Sequence, residues 1–250
     1  MSVAEKKFRP LAWWQLLRAA NVFTAASNVI AGFLIVQGHW APAETLALLI
    51  AASACLYLAG MVLNDVYDAE LDAVERPERP IPAGHISRTT ASSAGWALLS
   101  GGVLLSWLAA LTCGHPMPGL LGVLLAFAII RYDSVLKSTW IGPVAMGWCR
   151  VLNVMLGASA AGALTREWPA LLYAIGVGLY TVVLTNVARS ETIGELSRKL
   201  HVRNLVTRMI QGFILLDAIA ATIAAGWQSG LAVLALLIPT ILIARRAPMT

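Results

Sequence analysis

Eight long apolar runs, set apart by polar interruptions of unequal length, dominate the chain. A helix needs about 20 predominantly apolar residues to cross the hydrocarbon of a bilayer. Runs of this kind lie near Leu16 to Val36, Thr45 to Leu63, Ala91 to Cys113 and Leu120 to Tyr132, and four more near Ile141 to Gly162, Trp168 to Ala188, Leu205 to Gly226 and Leu231 to Ala244. The fourth is the shortest, and Pro116 and Pro118 are placed to open its helix at the preceding turn. The pattern predicts an all-α fold, a polytopic membrane bundle of about eight transmembrane helices in a single domain over residues 1–250.

The polar interruptions carry a second pattern. Gly114 to Gly119 and Trp227 to Gly230 are short outer connections, whereas Asp65 to Thr90 and Arg189 to Arg203 are long. Each long one follows the second helix of a four-helix half and sets carboxylates beside arginines. This suggests pseudo-repeat halves of about 11–132 and 141–244, with two polar loops capping one central cavity. With the N-terminus in the cytosol, every Lys and Arg except Arg150 and Arg166 falls at or inside the inner face, Arg245 and Arg246 included. The positive-inside asymmetry then makes both long loops cytosolic, and the expected setting is a bacterial inner membrane.

Composition agrees: 58% hydrophobic residues, 12% charged, and a mean hydropathy of +0.74 exclude an ordinary soluble domain. The net charge of +5 does not indicate nucleic acid, because the basic residues sit at helix ends, and no protein partner can be inferred. Lys6, Lys7 and Arg9 precede the first run as in a signal peptide, but that run is long and lacks a small-residue cleavage site, so it is expected to be retained. Cys55, Cys113 and Cys149 lie within runs without a CxxC pair and read as packing residues. His39, His85, His115 and His201 are scattered without ligand spacing, and Trp13, Trp14, Trp40, Trp140 and Trp168 mark run ends as interfacial anchors.

Chemistry concentrates in the first long loop. Asp65, Asp68 and Asp72 are spaced i, i+3, i+7, and Asn64, Asp68 and Asp72 are spaced i, i+4, i+8. On a helix continuing out of the second run, either set shares one face. Like charges so placed repel and call for a cation. Hard oxygen ligands suit Mg²⁺, which keeps waters and bridges to substrate phosphates. A solvated acidic helix end explains the spacing equally well. The stretch Arg76-Pro77-Glu78-Arg79-Pro80-Ile81-Pro82-Ala83-Gly84 then sets two arginines among three prolines, a stiff loop able to hold guanidinium groups over a phosphate.

The pattern Asn64-Asp65-x-x-Asp68-x-x-x-Asp72, followed by Arg79-Pro80-Ile81-Pro82-x-Gly84 and Ile86-Ser87, resembles the first signature of the UbiA superfamily of intramembrane prenyltransferases. The resemblance extends from about Leu17 to Arg208. It takes in Arg18 and Asn21 on the first run and Tyr132 to Lys137 after the fourth, and the wording Glu75 to Pro82 is similar to the EboC branch. It implies Mg²⁺-dependent transfer of an isoprenyl group from an allylic isoprenyl diphosphate to an acceptor, often aromatic, within the membrane lipid. Asn64, Asp68 and Asp72, supported by Asp65, would hold one metal, with Asp68, Asp72 and Tyr132 catalytic. Arg76, Arg79, Lys137 and Arg189 would neutralise the diphosphate. The family's second acidic motif is replaced by Glu191 and Glu195, which keep an i, i+4 spacing and would hold a second metal or orient its waters. Family members usually have nine helices, against eight runs here.

Deeper polar residues extend the expected cavity. Arg150 lies roughly 13 Å into the fifth run at 1.5 Å per residue, with Asn153 on the same face and Asn21 opposite by resemblance. Cavity lining is favoured for them over an interhelical clamp, since a charge at that depth needs a polar cavity or a partner. Asn204, Arg208 and Gln211 form a stripe expected to face the same cavity, whereas Asp217 falls on the opposite face and reads as a structural contact. Two other functions compete: a protein of this fold that binds or moves a lipid or aromatic compound without prenyl transfer, and an ion transporter, for which the runs hold too few acids.

Overall fold

The structure, a computed structural model, describes residues 10–162, 168–190 and 196–244, which form helices joined by turns and, between residues 76 and 87, by a longer loop. The α-helices are α1 (Pro10–Leu17), α2 (Val22–Gln37), α3 (Ala43–Tyr67), α4 (Ala69–Glu75), α5 (Arg88–Cys113) and α6 (Met117–Ser134). They continue with α7 (Gly142–Ala158), α8 (Trp168–Arg189), α9 (Leu196–Ala225), α10 (Trp227–Leu234) and α11 (Leu237–Ala244). Eight stretches among the described residues are long and apolar enough to cross a membrane. This is a multi-pass integral membrane protein. Its outward faces carry Leu104, Leu111, Phe127, Leu172, Leu179 and Ile223, all exposed, as lipid-facing positions require.

The boundaries differ from the sequence reading in three places, each for a local reason. The first run is not continuous from Leu16. Arg18 adopts a left-handed conformation (φ 43°, ψ 49°) that ends α1, and one 3₁₀ turn, Ala19–Asn21, leads into α2. Trp227 to Gly230 is not a loop, because Gly226 at φ 87° makes the turn alone and α10 begins at Trp227. The last run divides into α10 and α11. In α6, Pro116 is the N-cap and Pro118 lies in the first turn, so the shortest run gains the length of a span.

α2 is the central helix. Phe33, Leu34 and Val29 are fully buried, and the helix packs against α3, α7 and α9. α5 covers the outer side of α3, α8 covers α7, and α10 covers α9. The α2–α7 crossing rests on a word the two helices share: Asn28-Val29-Ile30-Ala31-Gly32 and Asn153-Val154-Met155-Leu156-Gly157. The contact is reciprocal, since a Cβ on Gly32 would strike the Val154 carbonyl and one on Gly157 would strike the Val29 carbonyl. Backbones touch there without side chains between them, as small residues permit in membrane bundles.

Candidate functional site

The chain leaves α3 almost without losing its helix. The amide of Asp68 donates to the Asn64 carbonyl at 3.0 Å and that of Asp72 to the Asp68 carbonyl at 2.8 Å, so the acidic run keeps near-helical register through a single non-helical residue. Two sets of oxygens result. Asp65 and Asp72, 5% and 4% exposed, share Arg79, whose Nη1 lies 3.3 Å from Asp65 Oδ1 and 2.7 Å from Asp72 Oδ2. Asn64 and Asp68 share Lys137, whose Nζ lies 3.2 Å from Asn64 Oδ1 and 2.7 Å from Asp68 Oδ1. Arg18 adds a second cation to Asp65 at 3.0 Å. Burying a carboxylate is costly unless it is paired, and Asp65, Asp68 and Asp72 each have a cation at hydrogen-bond distance.

Each cation is positioned by its own local structure. Arg18 faces the acidic run because of its left-handed turn. Conformations of that kind cost about 1–3 kcal/mol and persist where the surroundings enforce them, here Asp65 and Met61 Sδ at 3.6 Å. Arg79 sits in a compact loop in which Pro80 accepts from the amides of His85 and Ile86 at 3.0 and 3.1 Å. Ile81 and Ile86 pin that loop to Ala12 and Leu16 of α1 and Val62 and Val66 of α3. Lys137 occupies a 3₁₀ turn after α6, where its carbonyl accepts from Arg189 Nη2 at 2.6 Å.

Beneath this layer lies a cavity of about 650 Å³, walled by α2, α3, α6, α7, α8 and α9. Its mouth carries Arg18, Asp65, Arg76 and Arg79, its middle Leu125, Ile129, Met146 and Leu184, and its inner end Tyr57, Arg150, Asn153 and Phe213. A shallower pocket on the acidic face is lined by Asn64, Asp68, Asp72, Arg76, Arg79, Tyr132 and Asp133. The volume falls within the range of small-molecule sites, and apolar walls under a charged mouth suit an amphiphile with an anionic head.

Arg150 is at once cavity wall and clamp. Its Nη1 donates to Asn28 Oδ1 at 2.9 Å and its Nη2 to Thr24 Oγ1 at 3.1 Å, and its guanidinium stacks 4.6 Å from the Phe213 ring. Asn28 passes the network on to Asp217, which is fully buried and also accepts from Ser27 Oγ at 2.5 Å and Tyr173 Oη at 2.6 Å. Asn153 donates to the Ala25 carbonyl at 2.9 Å and accepts from Ser53 Oγ at 2.6 Å. Asp217 is therefore a structural hub turned away from the cavity.

The structure brings Asp65, Arg76, Arg79 and Tyr132 to the cavity mouth, sets Asn64, Asp68 and Asp72 in the adjoining pocket with Lys137 bonded to Asn64 and Asp68, and places Asn21, Arg150 and Asn153 along the cavity. Arg189 is exposed and holds the α6–α7 connection. Glu191 and Glu195 lie outside the described residues. The stripe Asn204, Arg208 and Gln211 does not line the cavity. α9 presents the neighbouring face, Arg203, Val206, Ile210 and Phe213, because packing against α2 sets its rotation. Asp133, a buried carboxylate in the last turn of α6 that was not among the expected site residues, lines both pockets. An ionisable residue at the end of an apolar run was the available signal.

Fold and site together define a multi-pass helical membrane protein with an acidic and basic mouth over an apolar cavity. Residues 25–247 match the model of the UbiA prenyltransferase family. The chain belongs to the UbiA prenyltransferase family. It is 31% identical over 199 residues to the digeranylgeranylglyceryl phosphate synthase of Metallosphaera sedula, covering 77% of this chain and 66% of that one. With the chloroplastic chlorophyll synthase of Arabidopsis thaliana it shares 28% identity over 187 residues, 70% of this chain and 46% of that one. Among solved structures, a UbiA homologue from Archaeoglobus fulgidus bound to GPP and Mg²⁺ superposes with a TM-score of 0.57 at 15% identity, over 95% of this chain and 88% of that one. The chain spans about half to two thirds of the length of the curated relatives it matches.

Proposed function

We propose that this protein transfers an isoprenyl group from an allylic isoprenyl diphosphate to an acceptor within the membrane, with Mg²⁺ as cofactor. The observation that carries the reading is the layering of the site: interleaved carboxylates and cations at the mouth, and an apolar-walled cavity directly beneath. Family membership and the names of the relatives support it.

The donor set fits Mg²⁺. Asn64, Asp65, Asp68 and Asp72 offer oxygen only, the ligand type of a metal that takes one or two carboxylates and completes its shell with water and substrate phosphates. Asp68 and Asp72 would hold it, with Asn64 and Asp65 in support and Glu191 and Glu195 as ligands from the second long loop. When bound, Mg²⁺ supplies Lewis-acid neutralisation of the diphosphate charge. Arg18, Arg76, Arg79 and Lys137 are preorganised around the same volume, so they favour the charge that grows on the departing pyrophosphate. Tyr132 borders the reacting end. The cavity walls hold the isoprenoid tail and keep water from an allylic cation. Positive-inside asymmetry supports a cytosolic mouth, and the setting we propose is a bacterial inner membrane.

The test is turnover by the purified protein with Mg²⁺, farnesyl or geranylgeranyl diphosphate and a panel of aromatic and lipid acceptors. Prenylated product is expected from the wild type, and D68N should abolish it. Diphosphate binding without product from any acceptor would favour the alternative, a protein of this fold that binds or moves a lipid or aromatic compound.

A further inference from the structure

Asp133 is 3% exposed, and its Oδ2 is the one buried carboxylate oxygen among the described residues without a hydrogen-bond partner. Leaving a buried acceptor unsatisfied costs about 1–3 kcal/mol, and such groups call for an explanation in what the site does. Packing alone does not supply one. Asp133 lines both the deep cavity and the pocket on the acidic face, and it stands near Lys137, Arg18, Asp68 and Asp65 without an ion pair to any cation among the described residues.

Its height in the site follows from its neighbours. It lies in the last turn of α6, ahead of the separate 3₁₀ turn that carries Lys137, the cation that reaches Asn64 and Asp68. From the neighbouring α3, Gly60 approaches its Oδ2, 4.0 Å from where a Cβ would stand, and Gly60 lies four residues before Asn64 on that helix. The register of α3 therefore sets the free oxygen about one turn, roughly 5–6 Å, below Asn64 and the cation it meets. Gly60 keeps that space clear, because a side chain there would press on Ile129 and close off the carboxylate. The first isoprenyl carbon is bonded directly to the diphosphate, and an acceptor in line with the leaving oxygen would stand about 3–3.5 Å beyond that carbon, at the level of this carboxylate. Apolar walls, with Leu125 and Ile129 among them, continue below.

We propose that Asp133 is the proton acceptor of the transfer, a role that rests on the prenyl-transfer reading above. The bond between the first isoprenyl carbon and the diphosphate oxygen breaks, and its electron pair leaves with pyrophosphate. That carbon then bonds to a carbon or oxygen of the acceptor. The C–H or O–H at the attacked position gives its proton to Asp133 Oδ2, and the electron pair of that bond stays with the acceptor. Among the described carboxylates of the mouth, Asp65 and Asp72 are held by Arg79 and Asp68 by Lys137, whereas Asp133 keeps an oxygen open to the cavity.

The test compares wild type, D133N and D133E with Mg²⁺ in two measurements. One is binding of farnesyl thiodiphosphate, an unreactive analogue. The other is transfer from farnesyl diphosphate to the acceptor panel, with 4-hydroxybenzoate offered both plain and ring-deuterated. D133N should bind the analogue within about twofold of wild type while transfer falls about 10²–10⁴-fold. Its residual transfer to the deuterated ring should show a larger isotope effect than wild type, because proton loss has become slow, and D133E should recover part of the rate. D133N transferring at the wild-type rate, or D133N and D133E losing analogue binding and transfer by the same factor, overturns the role of Asp133 alone. A wild type that binds the analogue and transfers to nothing overturns prenyl transfer itself, and the role of Asp133 with it.

Discussion

Arg79 touches two carboxylates seven residues apart, and Lys137 an amide and a carboxylate four residues apart. This is the i, i+7 and i, i+4 spacing of the acidic run converted into two faces of one mouth. The spacing was legible in the sequence, and so was the pairing of acidic residues with an Arg-Pro loop. The partners were less so. Which carboxylate each cation meets depends on the left-handed turn at Arg18 and on Ile81 and Ile86 docking under α1, and neither leaves a periodic trace. Arg150 shows why alternatives at this scale need not compete: it lines the cavity and clamps α2 through Thr24 and Asn28. Asp217 holds Ser27, Asn28 and Tyr173 together from α9. Removing it strands three buried donors, so D217A is expected to lower stability by about 2 kcal/mol. The check is thermal unfolding in detergent, with the loss larger than for alanine at an exposed position such as Arg208.

At the scale of elements, the hydrophobic runs located the spans because length and apolarity are what a bilayer demands. They misplaced the breaks, because the turns at Arg18 and Gly226 are single-residue events set by φ near 43° and 87°. The rotation of α9 was also beyond them. Asn204, Arg208 and Gln211 make a polar stripe, yet the cavity takes the adjoining face, since a lipid-exposed helix tolerates polar residues near its mouth end. The α2–α7 crossing depends on Gly32 and Gly157, where a single added methyl group meets a carbonyl of the other helix. G157V should force the helices apart and cost about 2–3 kcal/mol as overpacking, seen as a lower unfolding temperature. Because Arg150 and Asn153 sit on α7, the variant should also loosen binding of farnesyl thiodiphosphate. An unchanged unfolding temperature would show that the two backbones are not in contact.

The molecule as a whole separates its chemistry by depth. Cations and carboxylates gather at one end, a polar network crosses the middle at Arg150 and Asp217, and lipid-facing leucines surround both. This layering sets Arg18, Arg76, Arg79 and Lys137 together with three aspartates around one opening, where the proposed diphosphate would arrive. It also makes topology testable. In a cysteine-free background, a cysteine at Ala83 should react with an impermeant maleimide only from the cytosolic side, and one at Gln228 only from the opposite side; the reverse pattern would invert the orientation. As proposed, the mouth built by the acidic run and its cations holds an isoprenyl diphosphate with its tail in the cavity below. An experimental density map of the protein with Mg²⁺ and farnesyl thiodiphosphate tests this. Diphosphate density is expected between Arg79 and Lys137, with metal beside Asp68 and Asp72 and the chain running past Asp133 toward Phe213. Diphosphate density away from this mouth, or a chain lying outside the cavity, would contradict it.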